Sequence, residues 1–419
     1  MRVLLVLGLS AAVGFAAVDL MGVVGGPGIP PAAPDAGPVL TEITWETWTP
    51  MPTARFGLGV AAVDGLVYAV GGYGGSRLTL NEVYDPAGDE WSEEAPMTHA
   101  RNGCYGASVF ERVYIAGGYD GSQRLKVVEE YDPATDEWQT LPEMQYARTV
   151  PAAAGLDGKL YVVGGFDGDV YPTTVERYDP ATGVWDTVAP MPAGRAGPGA
   201  AALNGKLYVM GGWTGMEPTQ TTLFAYDPAS NSWEGLRQMP TGRMYLTAAA
   251  LGGYLLAIGG QLTFNGPQTN VVEVYDPATN EWWSTNPMPA ARGSLGAATV
   301  GSNVHALGGN VGGTPLDQND RGHLPTGIAG GRPGAVATGL AATPNPLSSR
   351  VRIQLPPAGV SSVRILDAAG RRVRELVPDG SGVTWDRADE RGRPVNPGVY
   401  FCAVRAEGRE LALKLVVGE

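Results

Sequence analysis

The chain has 419 residues and a formal net charge of −13; only 17% of its side chains are charged, while glycine and proline supply 61 and 34 positions. So much Gly and Pro fits a turn-rich all-β chain rather than a helical one, and the acidic balance argues against a nucleic-acid binder, which works by neutralising phosphates. Two cysteines in distant segments, Cys104 and Cys402, do not make a disulfide framework, and both are expected to be buried small hydrophobes.

Met1 to Ala17 reads as a secretory signal peptide. Arg2 is its charged end, Val3 to Val13 its apolar run, and Gly14-Phe15-Ala16 a small-x-small cleavage site. It is too short to favour a membrane anchor, and no other stretch of the chain reads as a transmembrane segment. Residues 18–40, rich in Gly, Pro and Ala, form a flexible leader.

From residue 41 the chain repeats itself. Glycine doublets at Gly71, Gly117, Gly164, Gly211, Gly259 and Gly308 lie 46, 47, 47, 48 and 49 residues apart, each after a short β-like run. A fixed period in this range marks an array of supersecondary units. Trp45, Trp91, Trp138, Trp185, Trp233 and Trp282 each stand six residues before a Met, and Arg55, Arg101, Arg148, Arg195, Arg243 and Arg292 follow that Met by four. Tyr-Asp-Pro begins at Tyr84, Tyr131, Tyr178, Tyr226 and Tyr275, seven residues before the next Trp. Asp and Pro build a tight turn, and Asp157-Gly158 is a second hairpin signal. The repeated Tyr and Trp are apolar bodies with a polar handle, suited to packing between units.

These concurrent marks resemble the kelch repeat over residues 43–310. The resemblance implies one blade of a β-propeller per repeat, each a four-stranded antiparallel sheet with its innermost strand on a central channel. The expected propeller, residues 41–310, has six blades. Trp45 sits in register with the other tryptophans although no inner strands precede it, and the sixth repeat has Arg292 and Gly308-Gly309 but no Tyr-Asp-Pro. The N-terminal strand is therefore expected to complete the sixth blade. That blade's third strand has no clear sequence: Leu316 to His323 is polar and irregular, and residues 311–342 read as a Gly-rich linker.

In such a blade the arginines start first strands and the doublets end second strands, so the arginines share one face with the loops after the doublets. Those loops open with an aromatic in four repeats of six: Tyr73, Tyr119, Phe166 and Trp213. Loops on a rigid scaffold commonly carry binding, and arginines at this position in kelch proteins can hold acidic groups of a partner. The expected ligand-binding set is therefore the six arginines and the four aromatics. A structural reading stands beside it, because Glu82, Glu129, Glu176 and Glu273 recur two residues before the Tyr of Tyr-Asp-Pro and could neutralise the arginines. Phe224 replaces that Glu in the fourth repeat and the sixth lacks the motif, so Arg195 and Arg292 are expected to be the freest to hold an acidic ligand.

Residues 343–419 change texture, with short alternating runs at 351–355, 361–367, 371–377, 382–386, 399–405 and 410–417, the spacing of a small β-sandwich. Pro344-Asn345-Pro346, Asp367, Gly370-Arg371-Arg372-Val373, Trp385-Asp386, Gly392 and Gly398-Val399-Tyr400-Phe401 resemble the sorting domains of type IX secretion cargo and the related immunoglobulin-like modules of flagellar hook-capping proteins. That implies contact with export or surface-anchoring machinery.

Enzyme readings find little support. Copper radical oxidases on kelch propellers of the galactose-oxidase type need a His pair, a Tyr pair and a Cys joined to one Tyr, and this chain has only His99, His305 and His323. His305 takes the place of a strand Tyr, which suits a core position. Asp167-Gly168-Asp169 is a thin calcium signal. No residue is nominated as catalytic, and no metal or cofactor is expected. The expectation is a secreted or surface all-β protein: a six-bladed kelch-like propeller that binds protein or glycan, followed by an immunoglobulin-like β-sandwich. The alternative is a carbohydrate-active kelch enzyme, such as a sialic-acid mutarotase.

Overall fold

Runs such as Ala152–Leu156 (AAAGL) and Lys159–Val163 (KLYVV) are too short for helices and rich in small and β-branched residues, and a turn with a left-handed Asp157 and Gly158 joins them. In the computed structural model they form the two inner strands of a blade. The structure describes residues 42–324, 341–343, 351–355, 360–367, 372–378, 382–396, 398–406 and 409–417. The proposed signal peptide, the leader and most of residues 325–350 lie outside these. All regular elements among the described residues are strands, so none is a helix long and apolar enough to cross a membrane.

Six four-stranded antiparallel sheets follow in order. In the third, Ala154 pairs with Tyr161, Leu160 with Tyr178, and Tyr178 with Trp185. The inner strands are buried, whereas outer strands such as Val184–Val188 are largely exposed. Aromatics join the blades. Five of the six repeat tryptophans pack on the Tyr of their own Tyr-Asp-Pro, as Trp138 does on Tyr131 at 5.1 Å. That Tyr also meets the second-strand aromatic of the preceding blade, as in Tyr68–Tyr131 at 5.7 Å and Tyr114–Tyr178 at 6.4 Å. All six indole N–H groups donate across a blade boundary to a backbone carbonyl at 2.6–3.0 Å, Trp45 included.

The glycine doublets are joints between blades. The first glycine of each has φ of 59–65° and the second 95–113°, a region that disfavours a side chain. A Cβ on the first would lie 2.5–3.1 Å from the carbonyl of the next blade's arginine. The N–H of the second donates to that same carbonyl at 2.8–3.0 Å. Two residues after each arginine, Gly57, Gly103, Val150, Gly197, Tyr245 and Ser294 all adopt positive φ, and each donates its N–H to its counterpart one blade back at 2.7–2.9 Å. These six bonds close into a ring, since Gly57 donates to Ser294.

Closure follows the expected route. Thr44–Thr47 pairs with Asn319–His323, which pairs with Asn303–Leu307, so the first described strand is the outer strand of the sixth blade. One expectation is corrected here. The third strand of that blade is Asn319–His323, so the propeller runs to residue 323 and the linker reading of 311–342 fails over this span. The strand was illegible because Gly322 stands opposite Trp45, where the other blades have Tyr. A Cβ there would meet the Trp45 ring at 2.9 Å and Ile43 at 3.0 Å. Ile43 and Trp45 fill the space instead.

Beyond the propeller, two further sheets are described on their own. Ala341–Thr343, Val351–Gln354 and Gly382–Trp385 form one, and Arg372–Leu376, Val360–Asp367, Gly398–Ala406 and Arg409–Val417 the other. Strands from both contribute to one apolar cluster around Trp385, with Val351, Ile365, Val404 and Leu415. Cys104 and Cys402 are both free and buried, as expected.

Candidate functional site

The repeated arginines come first, because the sequence nominated them as ligand-binding. All six are fully buried. Arg55, Arg101, Arg148 and Arg243 pair with Glu82, Glu129, Glu176 and Glu273 at 2.5–2.7 Å. Arg292 pairs with Asp320 at 2.5 Å, from the strand missed in the sequence, so the expectation that Arg292 lacks a carboxylate is corrected. Each guanidinium also donates to a backbone carbonyl of the blade, Ala69 for Arg55 and Ala306 for Arg292. Burial pulls the pKa of each paired guanidinium below the usual arginine value, and its carboxylate partner pulls it back. These pairs hold strands together; their side chains do not reach the surface.

Arg195 does lack a carboxylate. Phe224 lies where the Glu would be, with its ring centroid 4.8 Å from the guanidinium carbon. Gly211 O, Thr222 Oγ1 and Ala193 O accept its hydrogen bonds at 2.9, 2.7 and 3.3 Å. Burial lowers its pKa to about 10. A cation over an aromatic face in a dry site is stabilised by about 2 kcal/mol, so Phe224 substitutes for the carboxylate. Arg195 is as buried as the others, and the expectation that it is free for a ligand is corrected on that ground.

The loop aromatics are placed differently. Tyr73, Tyr119, Phe166 and Trp213 each bridge, backbone to backbone, to the residue following a repeat arginine: Phe56, Asn102, Thr149 and Ala196. This confirms that the doublet loops and the arginines share one face. All four aromatics are half-buried, and they link into a continuous ladder. Phe56 meets Tyr73 at 5.4 Å, and the Arg77 guanidinium lies 5.9 Å from the Tyr73 ring and 4.8 Å from that of Tyr119. Arg124 bridges Tyr119 and Phe166 at 5.6 and 5.2 Å. Phe166 stacks on Tyr171 at 5.1 Å, Tyr171 meets Trp213 edge-on at 5.7 Å, and Trp213 stacks on Phe264 at 4.5 Å. The ladder thus crosses the first five blades, while the sixth offers Asn310 and Val311.

Sequence reasoning missed Arg77, Arg124, Tyr171 and Phe264. Arg77 and Arg124 occupy matching places, each bridging back to the aromatic that opens its loop, but loops of unequal length hide the match. Among the described residues neither forms an ion pair, and the Nε of each is buried without a hydrogen-bond partner.

Other nominated groups are structural. Asp167 Oδ1 accepts the N–H groups of Asp169 and Val170 at 2.9 and 2.8 Å, closing a turn. No cluster of three or more acidic, His or Cys side chains suited to a metal occurs among the described residues. His305 is buried against Tyr84 at 5.5 Å, and burial drops its pKa to about 4. His99 lies beside Glu129, and His323 beside Asn303, so the three histidines share no site. The central channel holds about 260 Å³ and is lined chiefly by Ala and Gly, such as Gly106, Ala154, Ala201 and Ala249, with no charged side chain among its lining residues.

Known proteins agree with this architecture. The kelch-motif family model matches residues 54–98 and 101–145, and the model of KLHDC2/KLHL20/DRC7 kelch-repeat domains matches residues 147–309. Kelch-like protein 40 of Mus musculus is 44% identical over 69 residues, 16% of this chain and 11% of that protein. Kelch-like protein 34 of Homo sapiens is 39% identical over 71 residues, 17% of this chain and 11% of that protein. The F-box/kelch-repeat protein At1g67480 of Arabidopsis thaliana is 38% identical over 69 residues, covering 16% and 18%. The chain therefore matches less than a fifth of the length of each of these curated relatives. The solved structure of YjhT superposes with a TM-score of 0.59 at 17% identity, over 65% of this chain and 95% of that one, a likeness of fold. Residues 54–309 are kelch repeats, built into a six-bladed β-propeller.

Proposed function

We propose that this chain is a binding protein whose ligand sits on the loop face of the propeller. The observation that carries the proposal is the half-exposed ladder from Phe56 to Phe264, with Arg77 and Arg124 held between aromatic rings and paired to no carboxylate. The channel lining carries no carboxylate, His or Lys beside the hydroxyls of Tyr105, Ser108, Thr247 and Thr299, and the absence of a base next to those hydroxyls favours binding over the carbohydrate-enzyme reading. Met1 to Ala17 would direct export, and residues 343–419, with the Trp385 cluster as a core, would serve as an immunoglobulin-like module for sorting or surface attachment.

Immobilised full-length chain probed with glycan and peptide arrays tests the binding role. Retention of one ligand class, lost when Tyr119 and Trp213 are replaced by Ser, is the expected result; silence on both arrays overturns it. A reporter fused to residues 343–419 tests sorting: delivery to the cell surface supports it, and surface delivery of the propeller without that segment refutes it.

A further inference from the structure

The blade boundaries are fastened alike at their outer rim, with one exception. Five residues after the Tyr of Tyr-Asp-Pro, an Asp or Asn with φ of 49–57° accepts two hydrogen bonds through Oδ1. One comes from that Tyr hydroxyl, the other from a backbone N–H on the segment arriving from the blade before. Asp89 so holds Tyr84 and Thr49, Asp136 holds Tyr131 and Ala95, Asn231 holds Tyr226 and Ala189, and Asn280 holds Tyr275 and Arg237, all at 2.6–3.0 Å. Between blades five and six, Thr285 Oγ1 accepts the N–H of Ile43 at 2.7 Å.

Between blades two and three both partners are gone. Gly183 stands in the place of the Asp or Asn, and Pro142 in the place of the donor, where it has no N–H to give. Losing both together strands neither group, so the closed state bears little penalty, but the tie is absent. The Tyr178 hydroxyl, 4.0 Å from where a Gly183 Cβ would lie, makes no hydrogen bond to the protein among the described residues. An open groove runs along this same boundary, lined by Glu143 and Gln145 of the arriving segment and by Glu176, Trp185, Asp186 and Thr187 of blade three. The inner contacts are intact. Val150 N–H donates to Gly103 O at 2.7 Å and Gly118 N–H to Arg148 O at 2.9 Å. Phe110 of blade two reaches over Gly158 of blade three, where a Cβ would meet its ring at 2.6 Å.

We infer that this boundary is a seam: the outer rims of blades two and three part, hinged on the intact inner contacts, while the other boundaries stay shut. Opening breaks the bond from the Trp185 indole to Pro142 O and uncovers the Trp185 ring. The seam draws nothing from the ladder, so it stands or falls apart from the binding role proposed above.

The repeat tryptophans supply the test, because each indole N–H bonds across one boundary and exchanges with solvent when that boundary opens. Nitrogen-15 NMR of the full chain labelled at tryptophan, with signals assigned by tryptophan-to-phenylalanine replacements, ranks them. Trp185 should exchange roughly tenfold faster than Trp91, Trp138, Trp233 and Trp282, the factor that one or two net hydrogen bonds supply. All five are half-buried, so exposure does not account for such a difference. Restoring donor and acceptor together with Pro142→Ala and Gly183→Asn should slow Trp185 to the rate of the others, and either replacement alone should not. Trp185 exchanging no faster than the other four, or staying fast in the paired variant, overturns the inference. The ranking is read on the unaltered chain, so the test survives a variant that folds poorly.

Discussion

Arg148 and Arg124 belong to the same face of the same scaffold, yet they do opposite things. Arg148 is one of six equivalent residues, fully buried, with Glu176 and the carbonyls of Gly164 and Thr174 around its guanidinium. Arg124 has one counterpart, Arg77, lies partly open to solvent, and meets two ring faces and no carboxylate at ion-pair distance. The repeated arginine answers a need that every blade has, which is to tie the strand start to the third strand under the loops. Under the proposed binding role, the unrepeated one would answer to a ligand outside the fold. In a repeat protein, regularity marks the scaffold, and departures from it must be sorted by burial before any is read as function. Arg195 shows why: it departs from the pattern, yet the departure is absorbed inside the blade by Phe224.

Breaking the scaffold should have the largest effect. Removing residues 42–49 exposes the edge of Asn319–His323 and deletes Trp45 and its bond to Asn286. Cooperative thermal unfolding of the propeller, followed by circular dichroism, should be lost; an unchanged transition would show that the sixth blade closes without its outer strand.

Next come the buried arginines. Arg148→Met leaves the Glu176 carboxylate stranded and should cost about 3–5 kcal/mol in denaturant unfolding. Arg195→Met strands no charge and should cost only about 1–2 kcal/mol. Equal losses at the two positions would mean that the carboxylate is not what distinguishes them.

His305 sharpens the comparison from another side, as a departure buried in a blade joint. It protonates near 6.5 when unfolded but only near about 4 when folded, because burial disfavours the charged ring. Protons then bind the unfolded chain preferentially, so stability is full above pH 6.5 and falls as the pH drops towards about 4, by on the order of 3 kcal/mol in all. His305→Tyr, the residue of four other blades, should remove this slope in unfolding measured across that range. The smallest effect is expected at the ladder: Arg77→Gln should change stability by less than about 1 kcal/mol, since it breaks no ion pair. A larger loss would place Arg77 with the scaffold.

Much of the propeller was legible because its constraints recur. Gly doublets, Trp, Tyr-Asp-Pro and Arg each serve the same contact six times or nearly so, and the period exposes them. The third strand of blade six was not legible, because Gly322 gives way to the Trp45 and Ile43 side chains contributed by the far end of the chain. Asp320 was hidden with it, and so was the partner of Arg292. Burial decided the site. A sequence shows Arg six times in register but not that the loops close over it, and it cannot show Arg77 reaching from one loop to the Tyr119 ring of the next.

The six bonds joining Gly57, Gly103, Val150, Gly197, Tyr245 and Ser294 form a circuit without a first or last member. Such a hoop has no slack. Its circumference is the sum of six short links, so the mouth cannot dilate unless several links lengthen together, and a push on one blade is shared by all. A ligand bound on the loop face, as proposed, would meet a rim tied by six backbone bonds, and adjustment to it would fall first to the loops above the rim.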